Sequence, residues 1–284
     1  MARPRSPRAR PTPPRVGPSK AESALAVERD GAVLRVWLDR PERRNALDTA
    51  TLEALAELYQ GLQRDFQTRV VVLGGRGPSF CAGADRRRPP GSERMAASSG
   101  ASERERRYAA QIGWRACRAI EESEVVTLAR VHGHAVGGGV ALALACDFRI
   151  AAQGSLFHLP EVDLGLPLTW GATPRLIAEI GAARARELIL ICDRVDARTA
   201  ERWGLVHRVV PASRLDAVVD TWARRLAAKP EIAVQMTKSQ LRAQSRRAVL
   251  GDVTETDGDL LLAASRSAVA RASFPAGRRG DLGT

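Results

Sequence analysis

Residues 70–74, Val-Val-Val-Leu-Gly, form an apolar run with polar residues on its N-terminal side. It is too short for a buried helix and has no alternation, so it predicts a strand covered on both faces. Such a strand belongs inside a sheet with layers above and below it, and the rest of the chain supplies candidates for both. Ala24–Arg29 and Val33–Leu38 read as two strands joined by a turn at Asp30-Gly31, with Pro41 ending the second. Asp48 or Thr49 can cap a following helix in which Leu52, Leu55, Ala56, Leu58 and Leu62 recur at helical spacing. Residues 86–107, rich in Arg, Ser, Gly and Pro, read as a mobile loop, and helix resumes near Tyr108 and runs to about Glu122.

The alternation then repeats. Val125–Val131 reads as a strand, Gly137-Gly138-Gly139 opens an Ala-rich helix ending near Cys146, and Asp147–Ala151 and Ser155–Leu159 read as further strands. Beyond residue 170 the periodicity is mainly helical: Pro174–Ile180, Ala183–Ile191, Ala197–Trp203, Leu215–Ala227 and a last stretch ending near Ala272. The expected fold class is α/β, a core of repeated β-β-α units followed by a helical C-terminal part. The expected division is a Pro/Arg-rich tail over 1–20, a core over 21–205 and a helical region over 206–284.

The net charge of +12 raises nucleic acid as a partner, so its distribution matters. Residues 1–20 hold six basic residues and no acidic one, half of the total, and are nearly empty of large apolar side chains. That segment cannot bury enough surface to offset its ordering entropy and reads as disordered. The remaining body is mildly basic and has no aromatic-basic stripe to stack bases, so no nucleic-acid partner is expected. The tail lacks the apolar segment of a secretory signal, and no stretch approaches the roughly 20 apolar residues that span a bilayer. The expectation is a cytoplasmic protein with no membrane partner. Cys81, Cys117, Cys146 and Cys192 are widely spaced, with no metal-like Cys/His cluster, and read as reduced structural thiols. No metal site is expected.

Two loops carry the chemistry. Gly137-Gly138-Gly139 follows a strand and begins a helix, so its first amides have no acceptor inside the helix, the positive end of the dipole points outward, and a ligand can approach the backbone. Taken alone, three glycines are more often a packing or turn device. Glu161, between the apolar Ser155–Leu159 and another apolar stretch, sits where a carboxylate loses solvent and gains basicity. Taken alone it reads more readily as a helix-start or ion-paired glutamate.

Four stretches in this order resemble the crotonase (enoyl-CoA hydratase/isomerase) superfamily. They are Arg40-Pro41 with Asn45-Ala46-Leu47; Ser79-Phe80-Cys81-Ala82-Gly83-Ala84-Asp85; His132-Gly133-His134-Ala135-Val136-Gly137-Gly138-Gly139; and Leu159-Pro160-Glu161-Val162-Asp163-Leu164-Gly165. The resemblance covers about residues 24–275 and implies a crotonase-like spiral of β-β-α units, a C-terminal trimerisation part, and assembly as homotrimers or paired trimers. It implies an acyl-CoA substrate, with CoA entering as part of that substrate and no other cofactor. By resemblance, Gly138 and Ala84 donate the two backbone N–H groups of an oxyanion hole and Glu161 is the catalytic base. The main chain at Ala82 and Ala84 resembles the adenine-recognition site, and Asp85 belongs to this CoA-binding loop as a cap or turn-fixing residue. The basic residue that often follows Arg-Pro in the family is replaced by Glu42, so Arg43 or Arg44 would bind CoA phosphates. Phe274, Arg278 and Arg279 loosely resemble the terminal segment that closes over adenosine.

One departure bears on the reaction. Typical hydratases of the family carry a second glutamate three residues beyond the middle glycine, where this chain has Ala141. A single carboxylate lacks half of the water-positioning machinery but keeps what moves a proton between carbons, which points to an isomerase-like site turning 3-enoyl-CoA into 2-enoyl-CoA, with an enoyl-CoA hydratase or a non-catalytic acyl-CoA-binding member of the fold as the alternatives. Glu93, Glu103, Glu105 and Asp163 are other carboxylates that could enter the pocket. His132 and His134 read as structural or pocket-lining in preference to proton-transferring.

Overall fold

The turn at Asp30-Gly31 closes the expected hairpin: β1 (Leu25–Asp30) and β2 (Val33–Leu38) pair antiparallel with Leu25 opposite Leu38. The structure is a computed structural model that describes residues 24–248 and 256–266 together with residues 269 and 272. The tail over 1–20 and the candidates Phe274, Arg278 and Arg279 lie outside the described residues. Past the hairpin, Asp48 caps α1 (Thr49–Gly61) by accepting from the Thr51 amide at 2.9 Å, and Leu52, Leu55 and Tyr59 form the buried face of that helix. The apolar run becomes β3 (Val70–Gly75), buried at every residue as a strand covered on both faces must be.

The segment expected as a mobile loop contains structure. It forms α2 (Ser92–Met95) and the start of α3 (Glu103–Ala110), which lies against α4 (Ile112–Glu122). The overlooked signal is a capping box: Ser102 accepts from the Glu105 amide while the Glu105 carboxylate accepts from the Ser102 amide. The high Arg and Ser content concealed it.

β4 (Val126–Val131), β5 (His134–Val136), α5 (Gly138–Ala145), β6 (Phe148–Ala152) and β7 (Leu156–His158) follow. α6 (Ala172–Leu190) joins the two helices expected there across a kink at Gly181, whose φ of 76° and ψ of 159° are not helical. The chain continues through β8 (Val195–Asp196), α7 (Ala197–Trp203), β9 (Arg208–Val210), α8 (Leu215–Ala227), α9 (Glu231–Ala248) and α10 (Asp257–Ala264).

The main sheet has the order β1-β2-β3-β4-β6-β9, parallel from β2 onward. A second sheet, β5-β7-β8, is extended by two isolated bridges, Cys81 with Ala135 and Leu47 with Ala84. Each turn of the chain therefore lays one strand in the main sheet, one extended segment in the second layer and then helix. That is the expected spiral of β-β-α units. One apolar cluster fills the space between the two layers and α1, α4, α5 and α6. The opposite face of the main sheet, with Val70, Val72, Leu128 and Ile150, is covered by Leu215, Val219 and Ala223 of α8. The boundary expected at 205/206 falls within this arrangement, because β9 belongs to the main sheet and α8 supplies the second cover that its doubly buried strands require.

All four cysteines are free and buried, and burial pushes the thiols of Cys81, Cys117 and Cys146 up to about 12, which keeps them protonated. Among the described residues no helix is long and apolar enough to cross a membrane.

Candidate active site

The second layer of the spiral brings the two glycine-bearing loops together. Its ladder continues from the Cys81 amide to the His134 carbonyl (3.0 Å) and from the Val136 amide back to the Cys81 carbonyl (3.0 Å). This sets the Ser79–Asp85 segment alongside the start of α5. A methyl group placed on Gly83 would lie 3.5 Å from the Gly138 nitrogen. α5 is apolar and buried at all eight residues, so packing, and not solvent, fixes its direction. Its first internal bond runs from the Ala141 amide to the Gly137 carbonyl (3.1 Å), which leaves the Gly138 amide at the positive end of the helix with no acceptor among the described residues.

The Ala84 amide is the second donor without an acceptor among the described residues. Its neighbours are engaged: Leu47 donates to the Gly83 carbonyl and Asp85 donates back to the Leu47 carbonyl, each at 2.8 Å. Ala84 between them points its amide away from Leu47, as alternation along an extended segment requires. Ala82 donates to the Arg44 carbonyl at 2.9 Å, so only its own carbonyl is left to meet a ligand.

Glu161 lies on a tight turn after β7, closed by bonds to its carbonyl from Leu164 (3.1 Å) and Leu166 (2.9 Å). The side chain returns to the α5 N-terminus, where a methyl group on Gly137 would sit 2.6 Å from Oε1. Gly137, with φ of 49° and this contact, admits no larger residue without moving the carboxylate. Oε2 is out of solvent and has no hydrogen-bond partner among the described residues. Burial without a compensating charge pushes the carboxyl up to about 7, the range of a group that takes and returns a proton near neutrality.

The other candidates are distributed around this centre. Asp85 is buried and turned into the loop: Arg40 reaches it at 3.1 Å, and its Oδ1 accepts from the Arg87 (3.0 Å) and Arg88 (3.3 Å) amides. It holds the loop from within. Arg43 and Arg44 are exposed, and Arg44 is tied by its backbone to Ala82. His132 bonds Arg130 at 2.9 Å and the Gly77 carbonyl at 2.8 Å, and burial holds its imidazole below the ordinary range. His134 is exposed, with Nδ1 3.4 Å from the Ser79 hydroxyl. Glu93 lies 3.9 Å from Arg88, Glu105 serves the Ser102 cap, and Glu103 and Asp163 are exposed. Ala141 is 1% exposed, its methyl group buried within the core beside this centre.

Three residues without an assigned role in the sequence reading hold the site. The Asn45 side chain, 1% exposed, accepts from the Arg40 amide and donates to the Arg76 and Ser79 carbonyls, pinning the start of the loop. Arg40 bonds the Ala46 carbonyl as well as Asp85 and Asp48. Trp170, with a left-handed φ of 61°, lays its ring on Gly138. Asn45 and Arg40 stood inside a recognised motif. Trp170 had no signal beyond a bulky aromatic before Gly171.

Comparison with known proteins bears on this arrangement. Residues 28–274 match the family model described as enoyl-CoA hydratase/isomerase. The chain is similar to a crotonyl-CoA hydratase of Syntrophomonas wolfei, 33% identical over 216 residues, which are 76% of this chain and 80% of the relative. It is also similar to a carnitinyl-CoA dehydratase of Salmonella enteritidis, 32% identical over 227 residues, which are 80% of this chain and 83% of the relative. Among solved structures, an enoyl-CoA hydratase/isomerase from Mycobacterium paratuberculosis superposes with a TM-score of 0.80 at 25% identity, covering 90% of this chain and 99% of that one. An enoyl-CoA hydratase from Bacillus anthracis gives a TM-score of 0.69 at 32% identity over 80% of this chain and 91% of that one.

Proposed function

This chain is a member of the enoyl-CoA hydratase/isomerase family, and from that premise we propose that it converts 3-enoyl-CoA to 2-enoyl-CoA with Glu161 as its single base. The observation that carries the choice is the pairing of one carboxyl raised to about 7 with a buried methyl group at Ala141. The Gly138 and Ala84 amides receive the thioester oxygen, and the negative charge that develops there on loss of the C2 proton meets donors already in place. Glu161 takes that proton as the electrons move into the enolate. The dienolate then collapses, the double bond settles between C2 and C3, and Glu161 returns the proton at C4. Nothing is oxidised, no water is consumed, and no cofactor is required beyond the CoA that arrives with the substrate.

Arg43 or Arg44 binds a CoA phosphate in this reading, and the main-chain carbonyls at Ala82 and Ala84 meet the adenine. The chain works in the cytoplasm as a trimer or a pair of trimers. The exposed apolar residues Ile232 and Met236, one turn apart on α9, supply a face for such contacts.

The names of the similar proteins favour a second reading, hydration of 2-enoyl-CoA. The two part on one experiment. Purified protein is given 3-enoyl-CoA and 2-enoyl-CoA of equal chain length, with products followed by mass and absorbance. Isomerisation exceeds hydration in the parent, and Ala141→Glu raises hydration relative to isomerisation, because a glutamate one helical turn into α5 can hold a water beside Glu161. Hydration equal to or faster than isomerisation in the parent would establish the second reading.

A further inference from the structure

We propose that the Trp170 indole is the wall that limits the length of the acyl group, making Trp170 a specificity-determining residue of this site. The inference rests on the acyl-thioester reading given above.

The ring occupies the seam between two helices of the core. A methyl group on Gly113 of α4 would lie 1.9 Å from Cε2 and 2.3 Å from Nε1, and one on Gly138 of α5 would lie 2.2 Å from Cζ3 and 2.6 Å from Cη2. The indole therefore touches the backbone of both helices, and neither position tolerates a side chain while it is there. The N-cap and the first residue of α5 thus face the two groups that matter: Gly137 meets the Glu161 carboxylate and Gly138 meets the Trp170 ring. A thioester whose oxygen is held at the Gly138 amide, with C2 presented to Glu161, must direct its remaining carbons past that ring. The seam that would receive a long chain is already filled.

The wall is anchored. Trp170 keeps a left-handed φ of 61°, a conformation that a non-glycine residue holds only where its surroundings dictate it. Its carbonyl accepts from Arg175 at 2.9 Å, Arg175 pairs with Glu121 of α4 at 2.6 Å, and the next amide, of Gly171, donates to Asp257 of α10 at 2.6 Å. Trp170 is 8% exposed. These bonds come from three helices and fix the backbone that carries the ring, while the Gly113 and Gly138 backbones confine the ring itself. Shortening the side chain leaves an apolar slot that Gly113 and Gly138 have no atoms to fill, and each methylene buried there multiplies affinity by roughly fourfold.

The test measures binding of butyryl-CoA and decanoyl-CoA by calorimetry to the full chain, to Trp170→Ala and to Trp170→Phe. The parent binds butyryl-CoA at least as tightly as decanoyl-CoA. Trp170→Ala shifts the ratio toward decanoyl-CoA by about tenfold or more, and Trp170→Phe shifts it by at least about threefold. If Trp170→Ala fails to fold by circular dichroism, Trp170→Phe decides alone. A parent that prefers decanoyl-CoA, or a ratio unchanged in every folded variant, overturns the assignment of Trp170 and leaves the enzymatic reading intact. The same shift measured in a Glu161→Gln background, where turnover does not contribute, upholds Trp170 even if Glu161 proves not to be the base. Absence of binding by both thioesters overturns the two together.

Discussion

The two free amides of the site are held by different means. At Gly138 the donor is the first residue of a buried helix, oriented by the axis of α5 and strengthened by its dipole. At Ala84 it belongs to a short extended segment without periodic structure, oriented by Leu47 on one side and by the Arg40–Asp85 ion pair on the other. The first depends on packing and the absence of side chains. The second depends on polar partners contributed from residues 40–48, which are remote in sequence. Glu161 stands with the first, because its carboxylate lies against Gly137. Damage to the helix end should therefore remove activity sharply, while damage to the loop end should erode it and lower stability with it.

The largest effect is expected at Glu161. Glu161→Gln keeps the fold and the affinity for acyl-CoA but lowers kcat by about 10²–10⁴, since an amide of similar shape accepts no proton; steady-state rates and calorimetry check both halves. In the parent, kcat/KM should climb as the pH rises toward about 7 and level off above it, because the base acts when ionised. Stability follows the opposite course. The folded carboxyl, at about 7, binds its proton more tightly than the ordinary value of 4.5. The stability this contributes is fully present below about 4.5 and is lost as the pH rises through about 7. Glu161→Gln should accordingly raise Tm relative to the parent at pH 8 and leave it unchanged at pH 4. A flat pH profile, or equal Tm differences at both values, would place the titrating group elsewhere.

At the same helix end, Gly138→Pro deletes one donor and sets a ring against Trp170. A loss in kcat of about 10²–10³ is expected in protein whose circular dichroism matches the parent. Full activity in such protein would exclude the Gly138 amide from the reaction.

The loop end is expected to respond least. Asp85→Ala leaves the Arg87 and Arg88 amides without their acceptor and Arg40 with Asp48 as its remaining acidic partner. Stability should fall by roughly 1–3 kcal/mol in denaturant titration, and kcat/KM by about tenfold. A kinetic loss as large as that of Gly138→Pro would mean that the two donors are equally dependent on their surroundings, and the contrast would disappear.

The strands and helices are legible wherever burial imposes a period: Val70–Gly74 as a doubly covered strand, Leu52 and Leu55 on one helix face, and Ala197–Trp203 and Leu215–Ala227 at their observed bounds. The short strands β5, β8 and β9 were not read, because two or three residues carry no period and pair only when a neighbour is already in place. The start of α3, before Tyr108, is hidden for a different reason: its capping box is present, but Arg and Ser dominate the surrounding composition.

The site divides in the same way. Glycines that open a helix, a glutamate between apolar segments and an alanine at position 141 are statements about residue type, and the chain by itself determined them. The contact of Glu161 with Gly137, the free amide at Ala84, the turning of Asp85 toward Arg40 and the wedge of Trp170 between Gly113 and Gly138 were decided only by the tertiary structure. Each joins residues far apart in the chain or depends on which atoms are shut off from water, and local sequence encodes neither the distance nor the desolvation.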